Sequence, residues 1–295
     1  MTTSKRKAAK KTTASKKRPA KRSPKATFAV ATNEKKSTAE RAKAFVEEPL
    51  ATIQSDESMQ ATLNVLKDRE QPIKVRLAAL QSLQAATFSV IVFEPYREDY
   101  LATLRELVDD PDEELRRRVL GILSREKDGY AQKRLLDGLQ DTSKALVPPE
   151  KALQLLSNDV HAEAYSLARE IVNAPPNPEA KREALRLLSG DANSAPLFEK
   201  LLRDKGEDRD IRQISAAALQ GVKPKRFQEQ ARELLLDDKE FDDIQATALT
   251  ALEQFGDEKA VAKDETLMKR VDQLGKGKSA KVKKTAKRFM TRYGK

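Results

Sequence analysis

The sequence predicts an all-α protein, an α-solenoid of about seven helix pairs preceded by a disordered basic tail. Three observations predict it. Apolar residues recur at three- and four-residue steps over short stretches bounded by helix-capping residues, which is the period of a half-buried helix. The stretches come in pairs, and one anchor in the second member of each pair returns every 31 to 40 residues. With 35% charged and 5% aromatic residues, the chain has the composition of a water-facing helical protein whose core is leucine and alanine.

Residues 1–44 are the expected tail. They open MTTSKRKAAKKTTASKKRPAKRSPK, with almost nothing to bury and like charges that keep such a segment extended. A helical pattern begins over residues 38–47, with Ala42, Phe45 and Val46 on one side, so the tail merges into a repeat region spanning residues 45–295. Residues 101–123 show one unit whole. Leu101, Leu104, Leu107 and Val108 stripe a first helix, and Leu115, Val119, Leu120, Ile122 and Leu123 give the second its buried side. Between them, Asp110, Pro111 and Glu113 fit an N-cap, a first-turn proline and a capping-box acid. Neither helix can cover its own stripe, so the unit requires neighbours.

The second-helix anchor is an aliphatic residue followed by a polar one, then small residues and a leucine. Val75-Arg76, Leu115-Arg116, Ile211-Arg212, Ile244-Gln245 and Val282-Lys283 carry it. Two close copies, EKALQLLSND and REALRLLSGD, lie between the second and third of these. Placing their anchors near Pro148 and Ala180 gives seven units with steps of 40, 33, 32, 31, 33 and 38 residues, the length of two helices and two turns. Over about residues 55–293 this pattern resembles the HEAT-repeat family, specifically the bacterial HEAT-like repeats of phycobilin lyases. The resemblance rests on Asp68 with Val75-Arg76, Asp110-Pro111 with Leu115-Arg116, and Asp204 with Ile211-Arg212. It implies that turn Asp and second-helix Arg pair to tie adjacent repeats, although Pro149, Lys181 and Gln245 replace the Arg in three units. The tail resembles those of linker histones and lysine-rich nucleoid proteins, Ser23-Pro24-Lys25 after Arg22 being the nearest single element.

Two stretches break the pattern. TFSVIVFEPYREDY at 87–100 reads as a second-helix extension packed in the core, with a protruding partner-binding patch as the alternative. GKGKSAK at 275–281 is a flexible basic loop that lacks the spacing and Ser/Thr of a P-loop.

Signals for chemistry are sparse. His161 is the one histidine and there is no Cys, so a histidine-based metal cluster, a thiolate site, a disulfide and a catalytic triad are all excluded. No metal or other cofactor is expected. The acidic clusters at 109–114 and 237–243 read as helix capping. Asp204, Gly206, Asp208 and Asp210 misplace the glycine of a calcium loop and lack its final acid. HEAT-like alkylpurine DNA glycosylases resemble the chain in fold class only. Their groove relies on tryptophan, of which this chain has none.

Charge distribution is the strongest functional clue. Residues 1–25 hold eleven cations (Lys5, Arg6, Lys7, Lys10, Lys11, Lys16, Lys17, Arg18, Lys21, Arg22, Lys25) and no acid. Residues 275–295 hold nine and no acid, whereas residues 26–274 hold 37 basic against 46 acidic residues. Cations without interleaved aromatics neutralise phosphates but do not read bases. The expected nucleic-acid contacts, to DNA or RNA alike, are therefore the tail cations with Lys281, Lys283, Lys284, Lys287 and Arg288 of a basic cap that begins near residue 275. An anionic membrane would hold the tail only electrostatically, without insertion, and the tail could also fold back on the acidic body. No apolar run reaches the length of a membrane span, and no secretory h-region is present in the first 25 residues.

The expected function is a non-catalytic scaffold or adaptor. It would hold a protein partner on the second-helix face through Arg76, Arg116, Arg117, Lys181, Arg212 and Gln245. The alternative is a HEAT-like enzyme, either glycosylase-like or phycobilin-lyase-like. A cytoplasmic monomer is expected, nucleoid-associated in a bacterium, with the nucleus open to it in a eukaryote.

Overall fold

The computed structural model describes residues 23–159 and 162–294, and among them the only regular elements are helices. The chain divides into two compact units, residues 1–103 and 104–295. No single helix among the described residues is long and apolar enough to cross a membrane.

The first unit contains α1 (Pro24–Thr32), α2 (Thr38–Glu47), a 3-10 turn at Pro49–Ile53, α3 (Asp56–Lys67), α4 (Ile73–Ala86), the single turn α5 (Val90–Phe93) and most of α6 (Arg97–Glu106). α1 packs on α2, α3 on α4, and α2 lies against α4. Residues 24–44 therefore do not belong to the expected tail. Ser23 caps α1, accepting from the Ala26 N–H at 3.3 Å, and Pro24 takes the first helical position. Ser37 and Glu40 form a reciprocal capping box on α2. Burial of Thr27, Ala31, Arg41, Ala44 and Phe45 gives the pair a core that tail composition conceals. The described structure thus has a helix pair ahead of the seven that the spacing predicts.

The second unit continues from a 3-10 turn at Leu107–Asp109 into α7 (Glu113–Arg125), α8 (Gly129–Gln140), α9 (Pro149–Leu156), α10 (Ala162–Asn173), α11 (Pro178–Leu188) and α12 (Ala195–Arg203). α13 (Arg209–Val222), α14 (Pro224–Leu236), α15 (Asp242–Phe255), α16 (Glu258–Lys263), α17 (Glu265–Lys276) and α18 (Ala280–Tyr293) complete it. α7, α9, α11, α13, α15 and α18 form one layer in which each touches the next. α8, α10, α12, α14 and α17 each pack on the helix that follows. This row of pairs is the expected α-solenoid pattern, and the aliphatic anchors Val75, Leu115, Ile211, Ile244 and Val282 are all buried.

One corner device recurs. A first helix ends on carbonyls that its own turns cannot satisfy, and the following Asn or Asp accepts the N–H two residues on. Asn33, Asp68, Asp110, Asp204 and Asp237 all do so, at 2.9 to 3.0 Å. Eight residues after the turn, a buried arginine donates its Nε back to the end of the first helix. Arg41 reaches the Ala31 carbonyl at 3.1 Å, Arg76 that of Leu66 at 2.9 Å and Arg212 that of Leu202 at 3.0 Å. In the sixth expected unit Gln245 reaches only the Asp237 carbonyl, at 3.2 Å. There the equivalent carbonyl, Leu235, receives Arg270 Nε from the next repeat at 2.9 Å.

The ladder between repeats exists in modified form. In three rungs the second-helix cation passes the next turn residue, which at Asp237 takes Lys205 instead, and ends three residues further on. Arg41 donates to Gln71 at 2.7 Å, Lys181 to Glu207 at 2.6 Å and Arg212 to Glu240 at 2.7 Å. Asp110 and Arg116 are only six residues apart, so this arginine is off register. Its Nε goes forward to the Leu146 carbonyl at 2.7 Å. The N-cap of α7 is Asp112, which accepts the Leu115 N–H at 2.8 Å, because Asp110 is spent in the turn around Pro111.

The rung at Glu240 is the most buried, its side chain and that of Arg212 lying 0% and 2% exposed. Burial pushes the Glu240 carboxyl up, but hydrogen bonds from Arg212, Lys205 and the Phe241 N–H outweigh it and hold the group below the usual glutamate range. Arg212→Ala is expected to lower the urea-unfolding free energy by about 3 kcal/mol, since removing one member of a buried pair strands the other and only Lys205 remains to compensate it. The carboxylate contribution is complete above about pH 4.3, the unfolded value, and is lost as pH falls through the lower folded value. The stability gap between wild type and Glu240→Gln should therefore shrink toward acid. Arg41→Ala should strip amide-exchange protection from residues 24–47 while leaving α13–α15 protected, as read by mass spectrometry.

Candidate nucleic-acid interface

α17 stops at Gly277, whose N–H returns to the Leu274 carbonyl, and Ser279 caps α18 by accepting the Val282 N–H at 3.4 Å. The basic loop GKGKSAK is thus the turn of the last helix pair. α18 is strongly amphipathic. Val282, Thr285, Ala286, Phe289 and Tyr293 are buried against α15 and α17. Tyr293 donates its hydroxyl to the Leu252 carbonyl at 2.6 Å, and its ring lies 4.8 Å from that of Phe289. Burial pushes the Tyr293 phenol above its usual range, so it stays a donor.

The opposite side of α18 presents Lys281, Lys283, Lys284 and Lys287, all exposed and none in an ion pair among the described residues. Arg288 is diverted to Glu253 at 2.7 Å, and Arg292 caps the Glu253 carbonyl. Elsewhere in the second unit, several arginines are paired with acids. Arg105 pairs with Asp128 at 2.7 Å, Arg134 with Asp109, Arg169 with Asp191 and Arg270 with Asp238 at 2.6 Å, and Arg232 with Asp264 at 2.5 Å. Residues 265–294 hold ten cations and two acids. Between α17 and α18 runs a cleft of about 470 Å³, with Lys276, Lys283, Lys284 and Lys287 on its rim and Val271, Gly275, Ala286 and Met290 on its floor. Its one acid, Asp272, pairs with Lys276 at 2.6 Å.

The other expected site residues separate into groups. Lys25 is exposed on α1. Lys5, Arg6, Lys7, Lys10, Lys11, Lys16, Lys17, Arg18, Lys21 and Arg22 lie outside the described residues, as does His161. Arg76, Arg212 and Gln245 are buried and committed to the corners, so they offer nothing to a partner. Arg116 is half-buried on the Leu146 and Asp110 carbonyls, and Lys181 is half-buried on Glu207. Arg117 is exposed, beside a cleft of about 440 Å³ that it shares with Lys151, Glu113, Glu150, Glu179 and Glu183. A period-based reading cannot separate a capping arginine from a surface one. Nor can the Asp-x7-Arg spacing alone, since Asp109 and Arg117 keep it too and Arg117 is exposed; the corner geometry decides.

No group of three or more His, Cys, Asp or Glu that could hold a metal occurs among the described residues. Asp204 and Asp208 serve a turn and an N-cap.

No protein-family model and no curated protein sequence matches the chain. Solved structures similar to it include human deoxyhypusine hydroxylase in complex with glycerol, at 16% identity over 83% of this chain and 99% of that one, with a TM-score of 0.35. Another is the complex of CpcE and CpcF of phycocyanin lyase from Nostoc sp. PCC7120, at 14% identity over 95% of this chain and 99% of that one, with a TM-score of 0.29. The expectation that the chain lacks catalytic activity is withdrawn, because the structures it is similar to are named for enzymes, a hydroxylase and a lyase. Likeness at these scores carries no argument about which chemistry, if any, this chain performs.

The lysine face should report itself in salt dependence. Replacing Lys281, Lys283, Lys284 and Lys287 by Ala should lower the slope of log affinity for a labelled 30-base-pair duplex against log salt by about 3 to 4. Fluorescence anisotropy between 50 and 200 mM salt measures it.

Proposed function

We propose that this helical-repeat protein binds nucleic acid without sequence preference, through phosphate contacts from the outer face of α18 and from the cations of the first 25 residues. The observation that carries the reading is the set of lysines 281, 283, 284 and 287, gathered on one exposed helix side without acidic partners, in a terminal stretch (275–295) that holds nine cations and no acid. Holding four like charges on one helix face costs self-repulsion, which a polyanion removes by releasing its counterions. No aromatic side chain is exposed on this face to stack a base, in keeping with contact to the backbone alone. A protein partner would dock elsewhere on the second-helix layer, at the mixed-charge cleft around Arg117.

Deleting residues 1–22 removes ten cations and is expected to lower the salt slope by up to about 9, with little difference between duplexes of unrelated sequence. Equal affinity and slope for full-length, truncated and lysine-replaced protein would remove the reading.

A further inference from the structure

The stretch after α4 is not core. Phe88 and Ile91 are 86% and 90% exposed, and Val90 and Val92 are exposed with them. The expected core-packed extension fails because only Phe93 turns inward, edge-on to Tyr100 at 5.4 Å between ring centroids and 86° between planes. The projection is stiffly mounted. Tyr96 donates its hydroxyl to Asp56 at 2.8 Å and Gln60 donates to Asp99 at 3.1 Å, so α3 braces the end of the following 3-10 turn, Glu94–Tyr96, and the first turn of α6. Around its base are the exposed carboxylates of Asp56, Glu57, Glu94 and Asp99, with Arg97 the one cation between them. An apolar knob with an acidic collar suits a cleft with an apolar floor and a basic rim, and its acids would be repelled by an anionic surface.

This chain contains such a cleft. The groove between α17 and α18 has the half-buried Gly275 and Met290 on its floor, over the fully buried Val271 and Ala286, and four lysines above. We propose that the protein self-associates head to tail, the Phe88–Val92 knob of one copy seating in the α17–α18 cleft of a second copy. Such a contact is heterologous, since the two surfaces that meet are different, and the pair is left with one free cleft and one free knob for further copies. The knob is preorganised by its brace, so docking orders no loop. The cleft lysines that neutralise the collar are among those that would contact phosphate, so nucleic acid and a second copy compete for them. The inference stands without nucleic-acid binding, and is tested in its absence.

Sedimentation of nuclease-treated full-length protein in 50 mM salt tests it. Wild type is expected to show a weight-average mass that rises with concentration above the monomer. Ile91→Asp, which spoils the knob, and the double variant Lys284→Glu with Lys287→Glu, which spoils the cleft, are each expected to stay monomeric. Both change exposed positions and should keep the wild-type helical circular dichroism and melting temperature. Mixed in equal amounts, they should form a one-to-one dimer and nothing larger, because the pair supplies one intact knob and one intact cleft. A wild type that is monomeric at every concentration overturns the proposal, as does a mixture that stays monomeric. Association of the lysine variant alone overturns it in favour of a knob-to-knob contact.

Discussion

The fold depends on satisfying the carbonyls at the end of each first helix. A helix leaves its last carbonyls without internal partners, and a stacked repeat buries them where water cannot serve. The Asx turn takes the N–H two residues beyond the turn Asp, and a buried guanidinium from the second helix takes a carbonyl, as Arg76 does at Leu66. Because one arginine bonds both its own first helix and the next repeat, as Arg212 does with Leu202 and Glu240, corner closure and repeat stacking are coupled. Charge placed this deep is tolerated only with full pairing, which is why Glu240 also receives Lys205.

Most of this architecture was legible in the chain, since a two-helix period and buried aliphatic anchors leave a pattern that does not need the corners to be understood. What escaped did so for physical reasons. α1 was concealed because its short alanine- and threonine-rich face follows a lysine-rich segment and averages out as tail; the pattern at 38–47 marked α2 but not its pairing with α1, although Asn33 and Arg41 keep the same eight-residue spacing as Asp68 and Arg76. The α7 cap moved from Asp110 to Asp112 because two candidate caps flank a proline and only the backbone decides between them. At the candidate site, the charge of α18 was plain from composition. The burial of Arg76, Arg212 and Gln245 was not, because a polar residue after an aliphatic one reads equally well as surface.

The apolar projection shows the opposite failure. Five large apolar side chains within six residues ordinarily announce a core, and here four of them face water. The signal that distinguishes the case is negative: the stretch is followed by Glu94-Pro95, which turns the chain before a second apolar stripe can form. Acidic residues gather at this projection and unpaired lysines on α18, so the two stretches carry opposite local character.

Arg270 closing the Leu235 carbonyl in place of Gln245 has a consequence for modularity. Repeat proteins are commonly lengthened or shortened by inserting or excising whole units, on the supposition that each brings everything it needs. Here the α14–α15 unit borrows its closure from its successor, so a cut between α15 and α17 would leave an unsated acceptor in the newly terminal unit. The interchangeable segment is therefore longer than one period at this point, and any recombination of these units has to carry α17 along with α14.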